Sequence, residues 1–461
     1  MMLEINIARW MVSPSRQKML LRFCCNSKNF ETVAVTFAVA VLVCSSPPRL
    51  SAAEEEVVTT SESSTSTATS NAPSAATTSS SAVETQPSTS PSGAPSGTSP
   101  SGAGLFSRSP VQLSLSVFEG YDDNVNTAPS NGKGSSYTNG SALLTYDFGT
   151  PRLQFSLGAS AGGTYYNQHL SNQNYDIDLH GNSVLRYQAS PRLTLGADVL
   201  VAYLTEPSFD FGVGLNTRTG NYFYTLDKFS VTYVWTERFS TLTRYTVAAI
   251  NFDSQSVGVF QDRVENTFGN EFRFLLVPTT TLVSEYRFGL IDYKDAPLNS
   301  TTHFILAGLD HTFNPRLAAT IRGGAEFRSY DNDGDRNGPY FEGNVNYALG
   351  RRTSISWTNR YGIEEPDVTN TQSRTVFRTG LEGKLALAPR FSTTLGVFYA
   401  HSDYHAPSSS EDDIDASVGV RFAITHLVGV EIGYHYTDVI SDVAGREYDR
   451  NRVFGGLNVT F

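Results

Sequence analysis

The feature that most constrains this chain is a series of alternating segments that begins after Pro110 and continues to the last residue. Each segment has 11 to 15 residues in which apolar and polar positions alternate. The final one, 453–461, has apolar residues at Val453, Leu457, Val459 and Phe461. Period-two alternation predicts strands with one apolar and one polar face, and this length suits a tilted crossing of a bilayer.

The connections between the segments are of two kinds. Short ones share a Pro-Arg pair, as at Pro151-Arg152, Pro191-Arg192, Pro315-Arg316 and Pro389-Arg390, because proline fixes φ for a tight turn. Longer ones are rich in Asn, Asp, Ser and Gly, and include 125–136, 167–173, 206–220, 331–338 and 442–446. Eight short turns and nine loops predict 18 antiparallel strands. A count of 16 stays open, because alternation in 222–235 breaks near Asp227-Lys228, as at a β-bulge.

Composition fits a membrane protein that crosses with strands. Only 39% of residues are hydrophobic and mean hydropathy is −0.24, but in a barrel only every second strand residue meets lipid. The predicted fold class is all-β, a transmembrane antiparallel β-barrel with short periplasmic turns and longer extracellular loops. A soluble β-propeller also repeats near 40 residues, but its blades need four short strands where these repeats contain two long ones.

The first 109 residues have a different character. Basic residues, an apolar run over 33–43 that is too short to span a bilayer, and Ser51-Ala52-Ala53 predict a signal peptide over 1–53. A lipoprotein site at Cys44 fits poorly because Val43 precedes it. Residues 54–109 are mostly Ser, Thr, Ala, Pro and Gly, which predicts a disordered periplasmic tether. The barrel is expected to occupy 110–461.

Charged residues on the polar faces are the candidate lumen lining, because charge on the lipid side of a barrel is costly. Both signs of charge are present, so the wall either sorts polar solutes or is stiffened by ion pairs. The candidates are Arg263, Glu265, Glu271, Arg273, Glu285, Arg287, Arg322, Glu326, Arg328, Arg378, Glu382, Lys384, Arg421 and Glu431.

Other chemistry has little support in the sequence. A net charge of −11 without a polybasic block argues against a nucleic-acid partner. The acidic loop Asp331–Asp335 lacks the glycine that a calcium loop needs at its sixth position, and no metal or other cofactor is expected. His401 with Asp403 is the one place where catalysis is worth testing, and no nucleophile motif accompanies it, so we do not expect an enzyme.

The first segment carries Tyr121-Asp122-Asp123-Asn124 near its end. It resembles the opening of the proteins grouped as putative β-barrel porin 2, an outer-membrane family, over about 109–461. The resemblance implies an outer-membrane barrel with a porin-like role, and it supplies no catalytic residues. The terminal Phe461, with Val459 and Leu457, looks like the sorting signal of such barrels.

These observations predict a protein of the bacterial outer membrane. Its expected partners are outer-membrane lipid and the barrel insertion machinery, and a homo-oligomer stays open. The leading function is a channel for passive diffusion of small hydrophilic solutes, because a barrel of 16 to 18 strands leaves an aqueous lumen. The alternatives are a structural or assembly barrel linked to surface polysaccharide export, and an outer-membrane hydrolase using His401.

Overall fold

The structure is a computed structural model of the chain, and it describes residues 110–170, 173–205, 220–332, 334–350, 352–368, 371–406 and 408–461. The predicted signal peptide, 1–53, and tether, 54–109, lie outside the described residues. The described part forms one antiparallel sheet of 18 strands, in which the first strand pairs with the last. The predicted fold class is therefore confirmed, and so is the count of 18 strands.

The strands are numbered in chain order. Their bounds are β1 Val111–Asp122, β2 Ser135–Gly149, β3 Leu153–Leu170, β4 Gln173–Ser190, β5 Leu193–Leu204, β6 Tyr222–Val234, β7 Phe239–Phe252, β8 Arg263–Val277, β9 Thr280–Tyr293, β10 Ser300–Asn314, β11 Leu317–Tyr330, β12 Arg336–Ala348, β13 Ser354–Glu364, β14 Ser373–Ala388, β15 Phe391–His405, β16 Ser409–Ala423, β17 Val428–Ser441 and β18 Tyr448–Thr460. One short helix, α1, spans Gln255–Gln261 in the connection between β7 and β8.

Two local predictions need correction. Residues 167–173 are mostly strand rather than loop, because β3 continues to Leu170 and β4 begins at Gln173. No bulge interrupts β6 near Asp227-Lys228, since β6 pairs with β5 and β7 without a shift in register. The backbone alternation is regular there. Only the polarity pattern breaks, because Asp227 lies on the face that carries the exposed Phe229 and Val231.

The two faces of the sheet differ as a membrane barrel requires. In β8, Phe272 and Phe274 are 47% and 44% exposed, whereas the alternate residues Glu271 and Arg273 are 4% and 8% exposed. Exposed apolar side chains therefore form the outer face, and charged side chains lie on the inner face. Within the described residues, no helix has the length and apolar character needed to cross a membrane.

Aromatic side chains mark the two ends of the outer face. Trp235 and Phe313, at the tight-turn end, are 54% and 60% exposed, and Tyr165 and Tyr175, at the opposite end, are about half exposed. Such aromatic rings occupy the two interfaces between hydrocarbon and water in outer-membrane barrels. The carboxy-terminal Phe461 is also exposed and exchanges backbone hydrogen bonds with Leu113 of β1.

The barrel is closed by the seam between β1 and β18. There the buried Asp122 of β1 accepts hydrogen bonds from Arg450 Nε of β18 at 2.9 and 3.1 Å. The next residue, Asp123, accepts bonds from the backbone and side-chain nitrogens of Asn451, both at 2.7 Å. Two carboxylates of the Tyr-Asp-Asp-Asn sequence therefore fasten the first strand to the last.

Asn124, the last residue of that sequence, extends the fastening into the first outer loop. Its Nδ2 donates to the carbonyls of Asp449 and Ala128, both at 2.9 Å, and its Oδ1 accepts from the backbone of Ala128 at 2.9 Å. A barrel with an open seam would expose two strand edges to lipid. The hydrogen bonds of this short polar sequence keep the seam closed at its outer end.

Candidate functional site

The candidate site is the inner face of the barrel. The structure places all fourteen predicted lumen residues on strand positions that alternate with exposed outer-face residues, so all of them lie on the inner face. They do not form one cluster. Those on β8, β9 and β11 belong to ion-pair networks, and Arg378 of β14 pairs with Glu364 at 2.7 Å. The others, which lie in the halves of their strands nearer the tight turns, are Glu382 and Lys384 of β14, Arg421 of β16 and Glu431 of β17.

One network joins four strands near the middle of the wall. Arg273 pairs with Glu271 at 3.0 Å and with Asp310 of β10 at 2.6 Å. Asp310 also pairs with Arg322 of β11 at 2.7 Å, and Glu271 with Arg244 of β7 at 3.0 Å. Opposite charges therefore lie next to one another along this arc, which stiffens the wall and leaves little net charge on it.

A second network lies on β9 and β12. Arg287 pairs with Glu285 on its own strand and with Glu342 of β12, at 2.5 Å from Nη2 to Oε1. The hydroxyl of Tyr340 donates to Glu342 at 2.6 Å, and the guanidinium groups of Arg287 and Arg360 lie within 6 Å of the Tyr340 ring centre. Nearer the tight turns, Glu431 accepts a hydrogen bond from Asn458 at 3.3 Å.

The neighbouring arc of the inner face, on β5, β6 and β7, is apolar at its outer end. Inward residues of β5, β6 and β7 form a buried cluster, and Val257 of α1 packs against it. This cluster consists of Ala202, Leu204, Tyr222, Tyr224, Leu226, Ile250 and Phe252. Helix α1 therefore lies over the inner side of the wall, so the β7–β8 connection is directed into the barrel mouth.

Residues 365–367, which we call the mouth segment, follow β13 and are also directed inward. Glu365 accepts a 2.6 Å hydrogen bond from the Tyr293 hydroxyl of β9 and pairs with Arg328 of β11. The carbonyl of Pro366 accepts a bond from Gln261 of α1 at 3.2 Å. Glu365 is only 6% exposed, which is unusual for a loop carboxylate and shows that the segment is enclosed by the mouth.

Asp367 ties the mouth segment to the other side of the barrel. It accepts hydrogen bonds from the Tyr404 hydroxyl of β15 at 2.7 Å and from Arg446 Nη2 at 2.9 Å, and pairs with Arg374 of β14 at 3.2 Å. Arg446 also binds Glu411 of β16, at 2.8 Å.

These contacts join distant parts of the circumference. Gln261 lies between β7 and β8, and Arg446 lies between β17 and β18. In the closed ring of 18 strands these positions are ten strands apart in one direction and eight in the other. The mouth segment therefore bridges nearly opposite sides of the outer end and narrows the opening.

The electrostatics of Asp367 favour this attachment. Burial alone would raise the pKa of Asp367, but the guanidinium groups of Arg374 and Arg446 and the Tyr404 hydroxyl outweigh burial and hold the pKa below its ordinary value. Asp367 is therefore ionised at neutral pH, when its attraction to both arginines is at full strength.

Sequence reasoning missed the mouth segment and the partners Asp310, Glu342 and Arg446. The available signal was the run Glu364-Glu365-Pro366-Asp367 at the end of an alternating segment. An acidic loop is usually solvated, so its burial could not be read from the sequence.

The histidine proposed for testing lies on the other face. His401 of β15 is on the outer face at the outer end, where Nδ1 lies 2.8 Å from Asp412 and Nε2 lies 3.5 Å from Asp403. Two carboxylates and no hydroxyl or thiol nucleophile surround it in these contacts.

In the acidic loop, Asp335 accepts a bond from Ser329 at 2.7 Å, and Asp333 lies outside the described residues. Across the described ranges, no group of three His, Cys, Asp or Glu side chains is arranged to hold a metal ion.

Comparison with known proteins identifies the family of this barrel. The sequence profile of the family described as putative beta-barrel porin 2 matches residues 103–461. The chain belongs to this family. The porin resemblance expected from the first strand is confirmed, as is the location in the bacterial outer membrane. The description of the matching family is that of a porin.

Solved structures with similar barrels are distant in sequence. OccAB4 of Acinetobacter baumannii is 12% identical, with a TM-score of 0.40, and the match covers 78% of this chain and all of that one. OpdK of Pseudomonas aeruginosa, solved with vanillate, is 11% identical with a TM-score of 0.41, covering 76% and 99%. The siderophore receptor PirA of A. baumannii is 6% identical with a TM-score of 0.39, covering 77% and 81%. These values support no conclusion about solutes. Comparison with curated proteins finds no match.

Proposed function

We propose that this porin-like barrel is a channel for passive diffusion of small hydrophilic solutes. The observation that carries the proposal is the inner face of the 18-stranded ring, where charged side chains of both signs alternate with lipid-facing apolar ones. A barrel of this strand number is too wide for its own wall side chains to fill, so its interior holds water.

The arrangement of charge supports weak rather than strong ion selectivity. In the wall networks each guanidinium lies beside a carboxylate, as for Arg273 with Asp310 and Arg287 with Glu342. Paired charges cancel at a distance, so they create a polar surface without a strong field of one sign. The mouth segment limits the opening, and this favours solutes of small size.

Recording from planar bilayers that contain the refolded full-length chain tests the proposal. We expect discrete conductance steps and, under a salt gradient, a reversal potential close to zero. A liposome-swelling series with sugars of increasing size should show entry of the smallest and exclusion of the larger ones. Absence of conductance steps from protein that migrates as a folded barrel would overturn the proposal.

The same preparation tests the hydrolase alternative. His401→Ala changes an outer-face side chain that contacts only Asp403 and Asp412 in its ion pairs, so conductance should be unaffected. Hydrolysis of a lipid or peptide substrate by the wild-type chain, lost in His401→Ala, would contradict a purely channel function.

A further inference from the structure

The tight-turn end of the barrel carries arginines that differ from those of the wall. The turns that lead into β3, β5, β7, β11 and β15 each end on an exposed arginine. Within the described residues, the side chains of these five arginines have no hydrogen bond and no ion pair. We call them the turn arginines: Arg152, Arg192, Arg238, Arg316 and Arg390.

The backbone of each turn directs its arginine toward the opening of the barrel. Each turn arginine accepts a hydrogen bond of 2.7 or 2.8 Å at its carbonyl from the neighbouring strand, as Arg152 does from the Gln188 amide. This bond continues the pairing of Leu153 with the outward-facing Tyr187 by one residue. Because successive side chains of a paired strand alternate between faces, Arg152 falls on the inner side. The residues that follow the other four turn arginines also pair on the outer face, and they are Leu193, Phe239, Leu317 and Phe391.

Positive charge is in excess at this end of the barrel. In the tight turns and the four strand residues beside each turn, the described part of the chain has seven arginines and three carboxylate side chains, an excess of four positive charges. The further residues of this set are Arg352, Arg421, Asp147, Glu237 and Glu431. Farther along the wall, ion pairs such as those of Arg273 cancel at a distance. The uncancelled charge therefore lies at the tight-turn opening.

Phospholipid phosphates are the other anions that lie near the rim of a membrane barrel. A side chain that binds them lies on the outer face, which at this end carries the exposed rings of Trp235 and Phe313. The turn arginines fall on the inner side, as the strand pairing shows. Their position therefore favours dissolved anions in the opening over lipid.

We propose that the turn arginines attract small anionic solutes such as carboxylates to the tight-turn opening, so that anions enter more readily from this end than from the other. This inference rests on the proposed channel function and names a class of solute for it. The effect belongs to one opening and to low salt. The paired charges of the wall leave the weak overall ion selectivity as described.

The dimensions of the ring give the size of the effect. Eighteen strands that are spaced by about 4.8 Å and tilted by about 40° enclose a circle about 36 Å across. For four excess charges about 18 Å from the axis, Coulomb's law in water with a Debye length of about 30 Å at 0.01 M salt gives an enrichment of monovalent anions of about twofold. At about 1 M salt the Debye length is about 3 Å, and the enrichment disappears.

Single-channel recording of the full-length chain in potassium chloride tests this inference. At about 0.01 M salt the current should be larger, by up to about twofold, in the polarity that draws chloride in from the tight-turn end, and at about 1 M both polarities should give equal currents. Replacing all five turn arginines with Gln should remove the asymmetry. Lys133→Gln, which removes a positive charge from the first outer loop, should retain it.

The outcomes separate this inference from the channel function. Equal currents in both polarities from a wild-type channel at low salt would overturn the role of the turn arginines alone. An asymmetry that survives replacement of all five would do the same. Absence of any conductance steps would instead overturn the channel function.

A charge added to a channel that already conducts separates the effect of charge from loss of folding. The background is the full chain with Cys24, Cys25 and Cys44 replaced by Ser. Thr279→Cys places a thiol in the β8–β9 turn, which has no arginine, and Ser130→Cys places one in the first outer loop as the control.

Methanethiosulfonate reagents are then added to one side at a time, and the side that reacts identifies the tight-turn end. At Thr279→Cys a cationic reagent should increase the asymmetry and an anionic reagent should decrease it. At Ser130→Cys the cationic reagent should not increase it. Equal responses at the two positions, or no response at Thr279→Cys once the thiol has reacted, would refute the proposal.

Discussion

Neutralising Asp367 should loosen the mouth of the channel. In Asp367→Asn the side chain keeps its size and its hydrogen bond with the Tyr404 hydroxyl, but loses the charge that attracts Arg374 and Arg446. The mouth segment should then leave its bridging position more often. We expect the variant channel to show frequent excursions to a higher conductance.

The contacts give the magnitude of the effect. Both arginines contact Oδ2 of Asp367, and this atom becomes the amide nitrogen when Oδ1 keeps its bond from Tyr404. Each of the two lost contacts is worth at least about 1 kcal/mol, so the total is about 2 kcal/mol. The larger penalty for an isolated buried charge, about 3 to 5 kcal/mol, does not apply, because Arg446 retains Glu411 at 2.8 Å and Arg374 retains Glu364 at 3.6 Å. A change of about 2 kcal/mol raises the population of the released state about 30-fold.

Single-channel recording at neutral pH measures that population as the fraction of time at the higher conductance. Asp403→Asn is the matched control, because Asp403 is an exposed carboxylate on the outer face at the same end of the barrel. We expect the control to behave as wild type. Identical traces from Asp367→Asn and wild type would refute the idea that these ion pairs hold the mouth segment.

Two further predictions concern pH and the seam. The pKa of Asp367 is lowered in the folded protein. The ion pairs of Asp367 therefore stabilise the mouth segment fully above the ordinary carboxyl pKa of about 4, and this stabilisation is lost as pH falls through the lower pKa of the folded protein. Wild-type channels should therefore show no mouth release at pH 5 to 7 and should show release below about pH 4, and release already at pH 6 would contradict this. Asp122→Ala should lower the free energy of unfolding in urea by about 3 to 5 kcal/mol, since it removes the buried carboxylate that pairs with buried Arg450 across the seam. Glu119→Ala, an exposed change on the same strand, should cost less than about 1 kcal/mol, and equal losses would argue against the seam contact.

The strand pattern could be predicted closely because each strand is recognisable from the alternation of its own residues and from the turns beside it. Alternation with a period of two depends only on neighbouring residues along the strand, and the Pro-Arg turns mark where strands reverse. The predictions of local structure were wrong where the pattern of polar residues does not follow the course of the backbone. Asp227 interrupts the apolar face of β6 without interrupting its pairing, and 167–173 looks like a loop although it continues a projecting hairpin.

The candidate lumen residues could be placed on one face from the sequence, but not joined to their partners. Arg273 and Asp310 are 37 residues apart, and Asp122 and Arg450 are 328 apart. Their proximity depends on the register between strands and on closure of the ring. The recognition of Phe461 by insertion machinery, the signal peptide and the tether stay predictions.

By itself, the sequence determined that this chain is a membrane barrel of about 18 strands with a charged inner face, because alternation and turns are local properties. Only the tertiary structure decided that Tyr121-Asp122-Asp123-Asn124 fastens the seam, and that the mouth segment joins nearly opposite walls. These contacts link residues that are far apart in the chain. Their energy comes from enclosing opposite charges together, and that depends on where the closed ring brings them.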